Sequence, residues 1–501
     1  MSFVSVLENS WQNTNPRYFL METEDLSQIR VSFEGTLRCF WMAPSELMAT
    51  SPDEIPSKLK AGLFTVEMVG LGWMGLPLAC LFAEAGARVI GADQNSSIVK
   101  AINAGKSPIS EEGLPELVRK VVSSGKFTAT TDTADASSKS DVIAIMVPTL
   151  IDRHKRPYYQ HVEEACVEIG KGIRAGSLVL FQSTCGPGVT DRVVKATIEK
   201  HSGLKAGQDF GIAYSPIRAM GGHGLTDLRK YARAVGAIDK KSLDVAVAVL
   251  SCIVDGKLIR TRDMSTAEAS KLFETIYRDV TIGLSNEFAL FCEEARVDYF
   301  EAMRVANSQP YSHLLAPGAG VGGHCLPVYP YLLAAETENG KLRIPMDSRR
   351  INDQMPSHVL RLAAEGLRTC GKSVKRSRFA VLGIAYRNDV KETRFSPSVE
   401  LVGLLKRRGA RVCVYDPLYS ADELKRMGFH AELTLPSALE RADCAILTVA
   451  HREFKSIKGI DLAANMSKNS VVVDCTGTLD PEGIEKVGLV YRGVGRGLWS
   501  K

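Results

Sequence analysis

From Thr65 onward the apolar positions alternate between two periods. Thr65–Val69 is a short apolar run that ends in glycines, and Leu76–Ala85 carries its apolar residues at helical spacing. Arg88–Ala92 is strand-like again and stops at Asp93. Further runs at Val142–Val147, Leu178–Gln182 and Phe210–Tyr214 are separated by helical stretches. Short apolar runs between amphipathic helices predict a parallel sheet covered on both faces. Before this region, Ser51–Gly62 predicts a short capped helix. Residues 1–50 show no period, although Trp11, Phe40, Trp41 and Met42 offer apolar surface.

The period changes at Ser265. Up to Val297, Leu272, Tyr277, Val280, Leu284, Phe288 and Phe291 keep helical spacing with no proline, and the single Gly283 is a modest cost. A helix of ~30 residues is long for a globular domain, so it joins two domains or pairs with another subunit. A glycine-rich loop, Pro317–Pro330, follows, and another helix is predicted over Ser357–Leu367. Alternation resumes at Phe379, with a helix over Val399–Arg408 and strands at Arg411–Tyr415, Cys444–Val449 and Val471–Asp474. The chain reads as two α/β halves around a helical segment.

Composition narrows the classes. The chain has 501 residues, 45% hydrophobic and 24% charged, enough for two to four domains with their own cores. A net charge of +5 is too slight for nucleic-acid binding by bulk electrostatics, but it leaves room for a local phosphate pocket. The basic run Lys372–Arg378 reads as a solvated linker. Eleven cysteines are spread singly with no CxxC pair, so reduced thiols are expected rather than a disulfide framework. No HxxxH or HExxH spacing occurs, and no metal is expected. The start lacks a signal-peptide pattern, and no apolar run approaches the ~20 residues of a membrane span. The expectation is a cytoplasmic protein with no membrane partner.

Three constellations carry chemistry. Gly70-Leu71-Gly72-Trp73-Met74-Gly75 follows a predicted strand and opens a predicted helix, the setting that a dinucleotide-binding GxGxxG requires. Its glycines serve the tight turn, the approach to a pyrophosphate and close helix packing, and the helix N-terminus attracts the phosphate charge. Asp93 at the end of the next strand suits a ribose 2′-OH and repels a 2′-phosphate, which favours NAD over NADP. In the second, Pro317–Pro327, five glycines or alanines precede His324 and Cys325. Cys325 is a nucleophile or a buried structural thiol, and the residues alone leave both open. In the third, Lys271, Thr275 and Arg278 share a helix face that either binds a substrate or is simply solvated. In the second half Asp416 ends a strand, but Gly383-Ile384-Ala385-Tyr386 lacks a full GxGxxG, so a second NAD site is not expected there.

Ten segments then fall in one order: GLGWMGLPLA, AINAGKSPISEEGL, IAIMVPT, FQSTCGPGVT, AYSPIR, SKLFETIYRD, GAGVGGHCLP, VLGIAYRNDVKETRFSPS, VYDP and YRGVGRG. The series closely resembles the UDP-glucose/GDP-mannose dehydrogenase family over about residues 65–497. His324 before the cysteine resembles the branch acting on UDP-N-acetylhexosamines. The resemblance implies an α/β fold of two Rossmann-like doubly wound parallel-sheet domains joined by a long central helix. It implies an N-terminal extension at 1–60, an NAD-binding domain at 61–258, a helical dimerisation segment with the cysteine loop at 259–370, and a UDP-sugar-binding domain at 371–501. The implied partner is a second copy of the chain.

The implied reaction is the four-electron oxidation of a sugar C6 alcohol to a carboxylate with NAD, through a thiohemiacetal and thioester on Cys325. Lys271 matches the lysine that stabilises the oxyanion and holds a water, and Thr184 the threonine near that water and the nicotinamide. Pro148 and Thr149 fall in the cofactor segment, and Arg394 matches the arginine that reaches the pyrophosphate. Gly322, Gly323, Arg278 and Arg387 fall in substrate-binding segments, with Arg387 standing where the family offers a lysine. Three family residues are replaced: the glutamate after Ser-Pro by Ile217, an asparagine by Thr275 and an aspartate by Tyr329. Two expectations follow. Either the full oxidation survives with the proton handled by Tyr329 or His324, or the protein stops at a two-electron or thioester stage or only binds its ligand.

Overall fold

The computed structural model describes residues 43–219, 224–337 and 342–499. Trp11, Cys39, Phe40, Trp41 and Met42 lie outside them. The chain from Ser45 onward forms one compact unit. Leu47, Ile55 and Leu59 are buried in its first hydrophobic core, and the Ser45 hydroxyl donates to Asp141 Oδ1 at 2.7 Å. Residues 45–60 thus pack onto the first α/β half, because their apolar positions lie along its sheet-covering helices.

The first half is an eight-stranded sheet. Its strands are β1 (Thr65–Val69), β2 (Arg88–Ala92), β3 (Phe127–Thr130) and β4 (Val142–Ile145), then, after a small hairpin of β5 (Leu150–Ile151) and β6 (Pro157–Tyr158), β7 (Leu178–Phe181), β8 (Gly211–Tyr214), β9 (Arg233–Ala237) and β10 (Leu258–Arg260). The order is β10-β9-β8-β7-β4-β1-β2-β3, parallel except for the β8–β9 pair. β3, β9 and β10 escape the sequence reading because they are short, polar or glycine-containing margin strands. β4 and β7 are wholly buried, as expected where helices cover both faces. The order reverses between β1 and β4, and in such sheets ligands sit beyond the strand ends at that reversal.

The second half is a five-stranded parallel sheet of β11 (Arg378–Leu382), β12 (Arg411–Tyr415), β13 (Cys444–Leu447), β14 (Val471–Asp474) and β15 (Val490–Gly493), in the order β12-β11-β13-β14-β15. Its reversal lies at β11. The fold is thus α/β, with two doubly wound sheets and a long helix between them in sequence.

That helix spans Met264–Ala295, capped by Asp263, whose carboxylate accepts the Thr266 N–H. A second long helix, Arg343–Thr369, packs along it and contains Pro356. It starts well before the predicted Ser357. The ion pair between Arg349 Nη1 and Asp279 Oδ1, 2.6 Å apart and both buried, holds its first half in place, and tertiary contact overrides the proline. Among the described residues no helix is long and apolar enough to cross a membrane. All ten described cysteines are free thiols.

β1 carries an unusual carboxyl. Glu67 is fully buried, its Oε2 accepts from Ser137 at 2.6 Å and its Oε1 has no partner. Burial pushes its pKa up to about 8. The folded form therefore holds a proton that the unfolded chain releases above about pH 4.3, so Glu67 costs stability as pH rises from there to about 8. Glu67→Gln should match the wild type near pH 4 and exceed it by a few kcal/mol at pH 8, each unit of displacement being about 1.4 kcal/mol. Urea unfolding at the two pH values checks this.

Candidate active site

The glycine turn after β1 is built as a cradle. Gly70 has φ +92°, and a Cβ there would lie 2.3 Å from the Met146 carbonyl oxygen. A Cβ on Gly72 would meet nothing within 4 Å, so its backbone is open to a ligand. Gly75 begins the helix Gly75–Glu84, and its Cβ would lie 1.9 Å from the Gly70 carbonyl oxygen. Turn, approach and packing are thus divided among the three glycines as a dinucleotide turn requires. Asp93 follows β2. Its Oδ2 accepts the Leu71 N–H and its Oδ1 the Asn95 N–H, both at 2.8 Å. These residues fit NAD: open backbone at a helix N-terminus for the pyrophosphate, and a carboxylate for the ribose.

One cleft of about 1650 Å³ runs from this turn to the second sheet. Gly70, Gly72, Trp73, Met74, Asp93, Pro148 and Thr149 line it. So do Thr184, Lys271, Thr275, Arg278, Gly322, Gly323, His324, Cys325, Arg387 and Arg394. Gly75 alone among the predicted site residues does not, because it is spent on helix packing. Every chemistry-bearing motif therefore converges on one wall or another of a single space.

The cysteine loop is clamped to the second half. The Gly323 N–H donates to the Arg394 carbonyl at 2.9 Å, so it is not offered to a substrate. A Cβ on Gly322 would lie 2.6 Å from the Phe395 oxygen, and one on Gly323 would lie 2.8 Å from the Tyr386 ring. The glycines serve close loop packing, and Cys325 sits just before the helix Tyr329–Ala334, whose Tyr329 N–H donates to the Cys325 carbonyl at 2.9 Å.

Around the thiol, Lys271 is largely desolvated, which pulls its pKa below the usual lysine range, against the pull of Glu274 and Cys325. The Tyr329 hydroxyl donates to Thr184 Oγ1 at 3.0 Å. Thr275 turns its hydroxyl back onto the Lys271 carbonyl at 3.2 Å, so it offers the cleft no amide-like contact. His324 is held between Glu392, which meets Nε2, and Arg394, whose Nη1 lies 3.1 Å from Nδ1. Both ring nitrogens are engaged, which takes His324 out of contention as a free proton carrier at the thiol.

The sequence reading missed several supporting groups. Buried Glu268 accepts the Thr190 N–H at 2.8 Å and the Cys185 thiol at 3.3 Å, which fastens the Thr184 loop to the Met264–Ala295 helix. Its only sequence signal is a carboxylate inside an apolar stripe. Gln182 lines the cleft, buried, with neither side-chain heteroatom partnered. Below the cysteine loop, Asp279 binds Arg349 and Asn352, Asn352 accepts from Asn286 at 2.9 Å, and Asn286 accepts the Gly318 N–H at 2.9 Å.

Comparison with known proteins decides the lineage. Three models of the UDP-glucose/GDP-mannose dehydrogenase family match in order: the NAD binding domain at residues 64–253, the central domain at 265–354 and the UDP binding domain at 380–481. The chain belongs to this family. It is an NAD-dependent UDP-sugar dehydrogenase. The UDP-N-acetyl-D-mannosamine dehydrogenase of Pyrococcus horikoshii is 33% identical over 434 residues, 86% of this chain and 99% of that one. The solved structure of that organism's UDP-D-ManNAc dehydrogenase superposes with a TM-score of 0.80 at 32% identity, covering 87% of this chain and all of that one (100%). A UDP-glucose dehydrogenase from Pyrobaculum islandicum gives a TM-score of 0.75 at 26% identity over 86% of this chain and 98% of its own.

Within the family frame, the second half repeats the first with a difference. Asp416 Oδ2 accepts the Ile384 N–H at 2.7 Å and faces His451 Nε2 at 3.2 Å. Burial alone would raise its pKa, but His451 holds it below the usual carboxylate range. Asp416 is fully buried, so no carboxylate is presented to a ribose there. Among the described residues one triad of potential metal ligands, Cys413, His430 and Glu432, lies outside the cleft lining.

Gly75→Ala drives a methyl group into the Gly70 carbonyl, an overpacking expected to cost about 1–3 kcal/mol. It should weaken NAD binding at least tenfold while UDP binding holds. Thermal melts and titration calorimetry with each ligand check this.

Proposed function

We propose that the protein oxidises C6 of UDP-N-acetyl-D-mannosamine to the uronic acid in a four-electron reaction through Cys325. The observation that carries the reading is the gathering of the Cys325 thiol, Lys271, Thr184 and Tyr329 in the cleft that Gly70, Gly72, Trp73 and Met74 of the glycine turn also line. The hexosamine is supported by relatives named for UDP-N-acetyl-D-mannosamine at 32–33% identity.

NAD, when bound, takes hydride from the sugar carbon; Gly70, Gly72, Asp93 and Arg394 would hold it. The chain's own groups do the rest. The Lys271 ammonium stabilises the alkoxide that precedes the aldehyde and the oxyanion that follows thiol addition. The thiol adds to the aldehyde carbon and keeps it covalently in the cleft. This matters because an aldehyde is a poor hydride donor while its tetrahedral adduct is a good one. Water then cleaves the thioester, placed by Lys271 and Thr184.

A purified sample given NAD and UDP-N-acetyl-D-mannosamine should form two NADH per sugar, and Cys325→Ser should form no uronic acid. One NADH per sugar would favour the alternative of a truncated, two-electron enzyme. None from any UDP-sugar would leave a binding protein.

The active form is a homodimer. Phe273, Tyr277, Leu284, Phe288 and Phe291 are 40–66% exposed on the Met264–Ala295 helix. At about 100° per residue they fall within about 60° of arc, one apolar stripe. Phe288→Glu should convert a dimer to a monomer in sedimentation velocity without loss of helicity. A persistent dimer would move the interface elsewhere.

A further inference from the structure

The second sheet carries a donor cluster that the dehydrogenase chemistry leaves unused. β12 is the edge strand of that sheet. After it the chain forms the helix Ala421–Arg426, turns at Gly428 with φ +87°, and runs along the β12 edge. The Val414 N–H donates to the His430 carbonyl at 2.8 Å, and the Glu432 N–H to the Val414 carbonyl at 3.4 Å. Val414 and Ala431 stand opposite each other in this parallel bridge, and both are buried in one hydrophobic core.

Side chains on a strand alternate between its faces. With Val414 and Ala431 turned to one core, their neighbours Cys413, His430 and Glu432 fall on the opposite face. Cys413 is buried there beside a second core that also holds Tyr415, while His430 is exposed and Glu432 is half-buried. The register brings a sulfur, an imidazole nitrogen and a carboxylate oxygen within 4.8 Å of one another. Among the described residues neither the His430 ring nor the Glu432 carboxylate has a side-chain hydrogen bond or an ion pair. None of the three lines the cleft.

We propose that Cys413, His430 and Glu432 bind a Zn²⁺ ion that fastens residues 430–432 to the edge of the second sheet. The donor set selects the metal. A thiolate, an imidazole and a carboxylate are the three ligand types of protein zinc sites, whereas Ca²⁺ and Mg²⁺ take oxygen donors. Three protein donors leave the fourth tetrahedral place to water. Bond lengths of about 2.0–2.3 Å put donors on one zinc about 3.3–3.8 Å apart. The cluster has to close by about 1 Å, which the exposed His430 and the half-buried Glu432 can do by side-chain rotation while the backbone bridge stays fixed. As the Zn–S bond forms, the thiol proton passes to solvent. Ion, thiolate and carboxylate then sum to zero charge, which suits a site at the margin of a core. The helical HxxxH and HExxH spacings miss this cluster because its donors lie on two paired strands. Its one local trace in the sequence is the alternation His430-Ala431-Glu432.

Zinc titration calorimetry on the full chain, first stripped with a chelator, tests this. A Cys325→Ser background keeps the cleft thiol out of the reading. One Zn²⁺ should bind per chain with a Kd in the micromolar range or below, and zinc should raise the melting temperature. Co²⁺ in its place should show a sulfur-to-metal charge-transfer band and the visible spectrum of a tetrahedral ion. His430→Gln and Glu432→Gln change side chains outside the core and should fold normally, yet each should weaken zinc at least tenfold and abolish its thermal shift. Cys413→Ser should remove the cobalt charge-transfer band. Arg378 on β11 acts electrostatically on the Cys413 thiol and so competes with a bound cation. Arg378→Gln should therefore tighten zinc. No zinc bound at about 100 μM metal, or affinity unchanged in both His430→Gln and Glu432→Gln, overturns the proposal.

Discussion

The buried pair of Asp279 and Arg349 ties the catalytic half of the molecule together. It joins the two long helices at a point from which water is excluded. Desolvating both charges is expensive, and the attraction offsets that cost only with further hydrogen bonds. Those bonds exist. Asn352 Nδ2 donates to Asp279 Oδ1 at 2.9 Å, and Arg349 Nε lies 3.0 Å from Asp353. The row continues through Asn286 to the Gly318 N–H, so the cysteine loop hangs from the ion pair. Helices held by apolar contact alone tolerate sliding. A buried charge pair admits one register, and that register sets where Cys325 stands relative to Lys271.

The two sheets use one device for two purposes. In both, a glycine turn follows the central strand and a carboxylate at the end of the neighbouring strand accepts backbone N–H groups of that turn. Asp93 stays half exposed at the cleft, and a second partner from a ligand can reach it. Asp416 is buried under His451, which converts the same residue from a ligand contact into a structural pin. The two halves thus offer different surfaces to one cleft, although they share a topology.

The site is notable for its proton economy. With Ile217 on the wall and the remaining carboxylates paired, the groups left at the thiol are an amine, two hydroxyls and a sulfur. Burial lowers the pKa of the first and raises that of the tyrosine. Desolvation drives both shifts, while Glu274 and Cys325 pull Lys271 back toward its ammonium form.

Much of the architecture is legible in the chain itself. The switch from strand runs to helical spacing at Ser265 and back at Phe379 reflects which faces are buried, and burial is written in side-chain polarity. The glycine turn at Gly70–Gly75 and the loop before Cys325 are legible because only glycine fits such close approaches. The sequence also showed that three family residues were absent. It could not show what stands in their place, since that depends on contacts between residues far apart in the chain. His324 looked as available as Tyr329, and only the fold engages both nitrogens of the one and sets the hydroxyl of the other against Thr184. The second long helix was expected only from Ser357, and the fold starts it at Arg343, before Pro356, where Arg349 meets the buried Asp279. Local spacing determined which residues could do chemistry, while long-range packing in a water-excluding interior decided which of them remain free to do it.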